Sequence, residues 1–195
     1  MKTVSRVYDT YEQAKSAVQA LESDGVPSAD ISMVANRHVS AGRADVDETS
    51  KAAAGAGVGG AIGGGAGLLA GLGLLAIPGL GPVVAAGWLA ATAVGVAAGA
   101  TAGGIVGALI DSGEPEEHAH VYSESIRRGG TLVTARVRDD LVGRAKAALD
   151  RYKPIDPAIR RGEYMKGGWK TFDPDAPAYQ PTDAELERAR RDRAA

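Results

Sequence analysis

The sequence predicts an α+β protein: a ferredoxin-like βαβ-αβαβ domain interrupted by a long antiparallel helical hairpin rich in glycine and alanine. Two observations carry this prediction. Residues 52–110 contain no charged side chain and hold 18 of the 27 glycines, whereas all the charge lies in the flanks. Each flank also contains a strand–helix–strand pattern. We therefore expect a discontinuous α/β domain from 1–51 and 111–161, a hairpin at 52–110, and a tail at 162–195.

The N-terminal flank shows one β-α-β unit. Residues 4–8 and 30–35 read as strands, and apolar residues recur at helical spacing from Ala14 to Leu21. The segment from Asp9 to Glu12 has the capping-box pattern that begins a helix.

The second flank repeats this pattern. A helix begins near Glu114 and Pro115, residues 131–137 form a strand, a helix with an apolar stripe follows, and residues 155–159 could form an edge strand. Two such units would give a four-stranded antiparallel sheet with helices on one face, with strands 3–8, 30–36 and 131–138 in one sheet. The alternative is two α/β pieces that are similar by coincidence.

Small residues recur every fourth position on both sides of a Pro-Gly cluster. If the chain folds back at Gly79, five pairs face each other, so two helix backbones could approach closely. The hairpin turn comprises Pro78, Gly79, Gly81 and Pro82. The predicted zipper comprises Gly55, Gly59, Gly63, Gly67, Gly71, Gly87, Ala91, Gly95, Gly99 and Gly103. A flexible glycine-alanine linker is the alternative, but it would not require this register.

The predicted helices, 52–76 and 83–110, each exceed the roughly 20 residues that span a bilayer core. Membrane lipid is therefore one expected partner, with the hairpin inserted and the domain on the cytoplasmic face of the inner membrane. A homo-oligomer that buries the hairpins is the other, and it would leave the protein cytoplasmic. The N-terminus lacks the pattern of a signal peptide.

No candidate site for catalysis, cofactor or metal is predicted from the motifs. Residues 55–60 fit G-x-G-x-x-G, but no strand pattern precedes them and no acid follows at the spacing a dinucleotide site needs. His118 and His120 lie two residues apart, so on a helix they point in opposite directions. The chain has no cysteine and a net charge of −2, which excludes thiolate chemistry and disfavours nucleic acid as a partner.

A basic patch is a further possibility that the sequence offers. Five arginines could form it, although a solvated or salt-bridged surface is the more common arrangement. They are Arg127, Arg128, Arg136, Arg138 and Arg144.

Three segments together resemble the bacterial general stress (heat-induced stress) proteins. They are AIPGLGPVVAAGW at 76–88, EHAHVY at 117–122 and RRGGTLVT at 127–134, and the resemblance covers roughly residues 3–160. It implies a stress-induced, non-catalytic protein and supplies no active-site residues. The expected function is a non-enzymatic stress-response role through membrane association or self-assembly. The alternative is a soluble regulatory module that binds a small ligand or a protein partner on its sheet.

Overall fold

A computed structural model describes residues 1–36, 73–77, 80–89, 92, 104–176 and 179 of the chain. These residues form an α+β fold around a five-stranded antiparallel sheet with the strand order β1-β5-β2-β4-β3. The strands are β1 (Lys2–Tyr8), β2 (Ile31–Asn36), β3 (Gly73–Ile77), β4 (Gly81–Ala86) and β5 (Thr131–Val137). The helices are α1 (Tyr11–Ser23), α2 (Gly104–Asp111), α3 (Glu116–Arg127), α4 (Val142–Asp150) and α5 (Pro157–Lys166).

The N-terminal β-α-β unit is confirmed, with one shift at the start of its helix. The capping box joins Thr10 to Gln13, one residue later than the sequence predicted, because the Thr10 hydroxyl accepts from the Gln13 amide. Strand β5 lies between β1 and β2 and pairs antiparallel with both. The prediction that strands near 3–8, 30–36 and 131–138 share one sheet is therefore confirmed.

The predicted fourth strand at 155–159 is wrong. Asp156 caps helix α5 by accepting from the amides of Ala158 and Ile159, and Pro157 occupies the first turn, where its missing N–H costs nothing. The second β-α-β unit therefore lacks its return strand, and the repeat behind the predicted ferredoxin-like order is incomplete. Helix α5 also includes residues 162–166, which the sequence assigned to a loop-like tail.

The predicted helices are also wrong next to the turn, where β3 and β4 form a β-hairpin instead. Valine and isoleucine favour strands, and glycine costs about 1 kcal/mol in a helix, so this stretch gains more by joining the sheet beside β2. The centre of the reversal was predicted correctly, since the pairs from Ile77↔Gly81 to Gly73↔Ala85 are equidistant from residue 79.

Two of the four predicted turn residues belong to a strand. Gly81 and Pro82 lie in β4, while Pro78 and Gly79 lie outside the described residues. Among the predicted zipper residues, only Gly87 is described. The others lie outside the described residues, as does the charged terminal helix expected from residue 182.

Helices cover both faces of the sheet, whereas the sequence predicted one covered face. On one side α1 and α4 pack against Val4, Met33 and Val133. On the other side α2 and α3 pack against Val7, Val34 and Leu132. Leu80, Val83 and Leu89, which lie within the segment predicted as the helical hairpin, are buried in this second core. In the described ranges, no helix has the length and apolarity to cross a membrane.

Gly87 follows β4 at a point where the chain lies against β2. Its φ is +92°, and a Cβ there would lie 2.3 Å from the Ile31 carbonyl oxygen and 2.7 Å from the Ser32 Cα. Neither neighbour can move away easily, because both atoms are backbone. A predicted zipper residue therefore has a different role: it allows the hairpin to dock on β2.

We expect Gly87→Ala to lower the free energy of unfolding by roughly 3 kcal/mol, from backbone strain and overpacking together. Urea denaturation followed by circular dichroism measures this change. Gly143→Ala is the matched control, because its new methyl group meets open space on α4 and alanine favours a helix. Equal stability of Gly87→Ala and the parent protein would contradict the docking role.

Candidate functional site

A cleft of about 560 Å³ runs along the outer edge of β1. Four consecutive residues of the strand, from Thr3 to Arg6, line it. Side chains of consecutive strand residues point to opposite faces, so all four can line one cleft only if it follows the backbone edge. The remaining lining residues come from the α2–α3 connection, α3, α4 and the segment before α5. They are Gly113, Glu114, Pro115, His118, Tyr122, Lys146, Asp150, Pro154, Ile155, Asp156 and Pro157.

Some backbone carbonyl groups on the outer edge of β1 already accept hydrogen bonds from other residues of the chain. The Ile155 amide donates to the Val7 carbonyl at 2.8 Å, and the Arg6 guanidinium donates to the Ser5 carbonyl at 2.8 Å. The Val7 carbonyl therefore points away from β5. In an antiparallel ladder alternate residues share this direction, so the backbone groups of Thr3 and Ser5 also face the cleft.

Charged side chains stand on both walls of the cleft. On the α4 wall, Arg6 Nε donates to Asp150 Oδ1 at 2.7 Å. Burial lowers the Arg6 pKa, but the hydrogen bond and charge of Asp150 outweigh it, so the pKa is raised above its ordinary value. Lys146 is exposed on the same helix and makes no ion pair with any described residue.

The opposite wall is acidic and aromatic. Glu114 lies 3.9 Å from His118, whose ring stands 6.1 Å from the ring of Tyr122. Burial raises the pKa of Tyr122 to about 12, and the neighbouring Glu114 carboxylate adds to the shift. The phenol is therefore a neutral hydrogen-bonding group at physiological pH.

A row of buried hydroxyls crosses the sheet from the cleft. Ser5 pairs with Thr134, and Thr134 pairs with Ser32, so the three side chains lie side by side on the face that α2 and α3 cover. The Ser32 hydroxyl donates to the Ala86 carbonyl at 2.7 Å. The hydroxyls of Ser5 and Thr134 are buried without a hydrogen-bond partner.

The described residues around the cleft show no activated nucleophile. The Ser5 hydroxyl has no base beside it, so nothing in the described residues activates it as a nucleophile. His118 and His120 contact different residues. His118 lies 3.9 Å from Glu114, whereas His120 Nδ1 lies 3.0 Å from the Thr171 hydroxyl. No cluster of three or more possible metal ligands occurs in the part of the chain that the structure describes.

The arginines considered as a basic patch are mostly engaged in ion pairs. Arg136 contacts Asp30 at 3.0 Å and stacks on Trp88, and Arg138 contacts Asp140 at 2.8 Å. These pairs favour the salt-bridged alternative over a phosphate-binding surface.

Arg127 and Arg128 both bind the Glu124 carboxylate, which is only 1% exposed. Arg128 also stacks on Tyr164 of α5, and both arginines lie against the ring of Tyr179 in the tail. This cluster joins the end of α3 to the C-terminal segment. Phe172 of the tail is buried in the core on the α2 and α3 side of the sheet.

Sequence reasoning missed the cleft entirely. Its walls come from segments that lie far apart in the chain, and a lone Arg6 in a strand or Lys146 on a helix resembles any solvated charge. Ser5 shares a face of β1 with the apolar Val7, but only the helices that cover this face make the polar residue buried.

Comparisons with protein-family models, curated proteins and solved structures find no match to this chain.

We expect Glu124→Gln to lower the free energy of unfolding by roughly 2–4 kcal/mol, because it leaves two partly buried arginines without their counter-charge. Thermal and urea denaturation measure the loss. Asp140→Asn, which removes an exposed partner of Arg138, is the control and should leave stability unchanged. An equal fall in the free energy of unfolding for both substitutions would show that the Glu124 ion pairs stabilise the fold no more than an exposed ion pair does.

The raised pKa of Tyr122 predicts that the folded protein loses stability at alkaline pH. Its pKa is about 12 in the folded protein against 10.0 for a free tyrosine, so between these values only the unfolded chain loses its proton. The stabilising contribution is complete below pH 10 and disappears as the pH rises to 12, a change on the order of 1–3 kcal/mol. Unfolding free energies at pH 9 and pH 11.5 should fall less for Tyr122→Phe than for the parent. An identical fall in both proteins would contradict the assignment.

Proposed function

We propose that this protein is a non-enzymatic stress-response protein that acts by self-association of its charge-free, glycine- and alanine-rich segments. In this proposal the α/β domain anchors those segments. The stress-response role rests on the resemblance of residues 76–88, 117–122 and 127–134 to general stress proteins.

The observation that carries the proposal is the burial of Leu80, Val83 and Leu89 in the domain core. These three are among the large apolar side chains of the charge-free segment, which suit hydrocarbon better than glycine and alanine do. Once they are inside the domain, the charge-free sequence on either side of them consists largely of glycine and alanine. Such segments gain little from lipid, but their small side chains allow backbones to pack closely against each other.

Membrane insertion of the hairpin is the second candidate, and the sheet limits it. Strand β4 interrupts the helix predicted at 83–110, and eleven residues, 93–103, separate Thr92 from α2. A bilayer crossing needs about 20 residues. Insertion as two spanning helices would therefore require β3 and β4 to leave the sheet. We accordingly favour self-association in the cytoplasm over insertion at the inner membrane.

A soluble regulatory module remains the alternative from a different class. The cleft beside β1 favours it, because it is a concave site with polar groups on three sides. This role is compatible with self-association, since the cleft lies at the edge of the sheet opposite to β3.

We expect Gly63→Leu to reduce the size of the assembly, because Gly63 faces Gly95 in the predicted small-residue register and leucine is too large for a close backbone contact. Gly64→Leu is the matched control, since it changes a neighbouring glycine that lies off the period-four ridge by about 100° on a helix. Light scattering coupled to size-exclusion chromatography measures assembly of the full chain.

Flotation with anionic lipid vesicles separates the two candidates. An assembled protein that stays out of the vesicle fraction, and that Gly63→Leu alone disperses, supports the proposal. A monomer at all concentrations, or equal behaviour of the two variants, would overturn it. A protein that floats with vesicles as a monomer would replace it with membrane association.

A further inference from the structure

We propose that the cleft beside β1 binds a small zwitterion, a free amino acid or a dipeptide, on the side chains of its two walls. The ammonium group of the ligand lies between Glu114 and Tyr122. Its carboxylate faces Lys146, and its aliphatic part packs against Ile155. This binding does not depend on the self-association proposed above.

The floor of the cleft is closed, so the walls must supply the recognition. Val4 and Ser5 of the floor are buried. The Ser5 carbonyl accepts from the Arg6 guanidinium, and the Val7 carbonyl beside it accepts from the Ile155 amide. A ligand in the cleft is therefore held by wall side chains that lack a partner within the described chain.

The Glu114 carboxylate is one such group. Its side chain is 13% exposed, and its ion-pair partner, Nδ1 of His118, stands 3.9 Å away, which is too far for a hydrogen bond. No described residue donates a hydrogen bond to this carboxylate. Because a mostly buried charge without donors costs free energy, Glu114 favours a cationic ligand that brings N–H donors of its own.

The phenol of Tyr122 is the second such group. The residue is 2% exposed and lines the cleft, and its hydroxyl forms no hydrogen bond within the described ranges. Burial raises the pKa of Tyr122 to about 12, and Glu114 contributes most to this rise among the charged groups, so the phenol and the carboxylate lie close together. An ammonium group has three N–H donors and can donate to both oxygens at once.

The opposite wall calls for an anionic group on the same ligand. Lys146 is exposed on α4 and makes no ion pair with any described residue, whereas Arg6 is held by Asp150 and Asp156 caps α5. Lys146 and Glu114 line the same cleft without forming an ion pair with each other. A polyamine would be repelled by Lys146, and a simple anion would be repelled by Glu114. A molecule with one charge of each sign complements both walls.

The volume of the cleft limits the size of the ligand. About 560 Å³ lies within the roughly 300–1,000 Å³ of small-molecule sites. The apolar part of the lining, which suits a short aliphatic side chain, comprises Val4, Pro115, Pro154, Ile155 and Pro157. A dipeptide carries the same two charged groups as an amino acid but holds them farther apart, toward the two walls.

NMR titration of the full-length protein with alanyl-valine tests the proposal. We expect saturable shifts at millimolar concentrations or below, centred on the amides of Glu114 and Tyr122. N-acetyl-alanyl-valine lacks the ammonium group and alanyl-valinamide lacks the carboxylate. The acetylated ligand should bind at least about tenfold more weakly and the amide roughly two- to fivefold more weakly. Titration with alanine separates the two sources, because the tighter binder of alanine and alanyl-valine is the class that the site recognises.

Conservative substitutions test each contact. Glu114→Gln and Tyr122→Phe should each weaken alanyl-valine and leave N-acetyl-alanyl-valine unchanged, because only the free ligand has the ammonium group. Lys146→Gln should weaken alanyl-valine by roughly two- to fivefold and leave alanyl-valinamide unchanged. Glu116→Gln, on the same helix as Tyr122 but exposed and outside the cleft, is the matched control and should bind as the parent does.

Three results would overturn the proposal. The first is the absence of saturable shifts with both alanyl-valine and alanine at millimolar concentrations. The second is equal binding of the free and blocked dipeptides to the parent protein, which decides the matter even if a variant does not fold. The third is an equal loss of free and acetylated ligand in Glu114→Gln and Tyr122→Phe, since that would show a structural role and no contact with the ammonium group.

Discussion

Strand β5 pairs with both β1 and β2, and the rest of the sheet depends on this double pairing. The two N-terminal strands run parallel and are joined by α1, so they leave a gap that only a strand from the far side of the charge-free segment fills. Gly130 stands directly before β5, where the chain enters this gap. A side chain would be too close to its neighbours there, because a Cβ would lie 2.9 Å from the Ser125 carbonyl oxygen. The domain therefore cannot form its sheet until the chain has passed through the entire insertion and returned, which makes its contacts strongly non-local.

Helices lie on both faces of the central strand β5, so its side chains are buried above and below. Leu132 and Val133, which are consecutive in the strand and point to opposite faces, accordingly belong to different cores. The same burial encloses Thr134 and Ser5, whose hydroxyls would face water if the α3 side of the sheet were open. Leaving such groups without partners costs free energy. The row of hydroxyls that ends in the cleft is therefore a polar feature that core packing alone does not explain.

The cluster around Glu124 connects three parts of the molecule. Asn36, at the end of β2, donates to the carbonyls of Leu80 and Arg127, so the point where the insertion leaves the sheet is tied both to the β3–β4 turn and to the end of α3. Arg127 and Arg128 then bind Glu124 and hold Tyr179 of the tail. The insertion and the tail are thus anchored at one end of the sheet, whereas the cleft opens at its β1 edge.

The sequence by itself determined the features that depend on local pattern: the β-α-β unit, the strand at 131–137, the boundaries of the charge-free segment and the reversal centred on residue 79. It did not decide between helix and strand at 73–86, because local composition is compatible with both and pairing with β2 is a long-range contact. It misassigned residues 155–159, where Asp156 capping a helix outweighed the apolar alternation. Only the tertiary structure placed Gly87 against Ile31, enclosed Ser5 and brought Arg6, Lys146 and Glu114 around one edge. Side chains so far apart in the chain share a site only because β5 closes the sheet and leaves β1 at its edge.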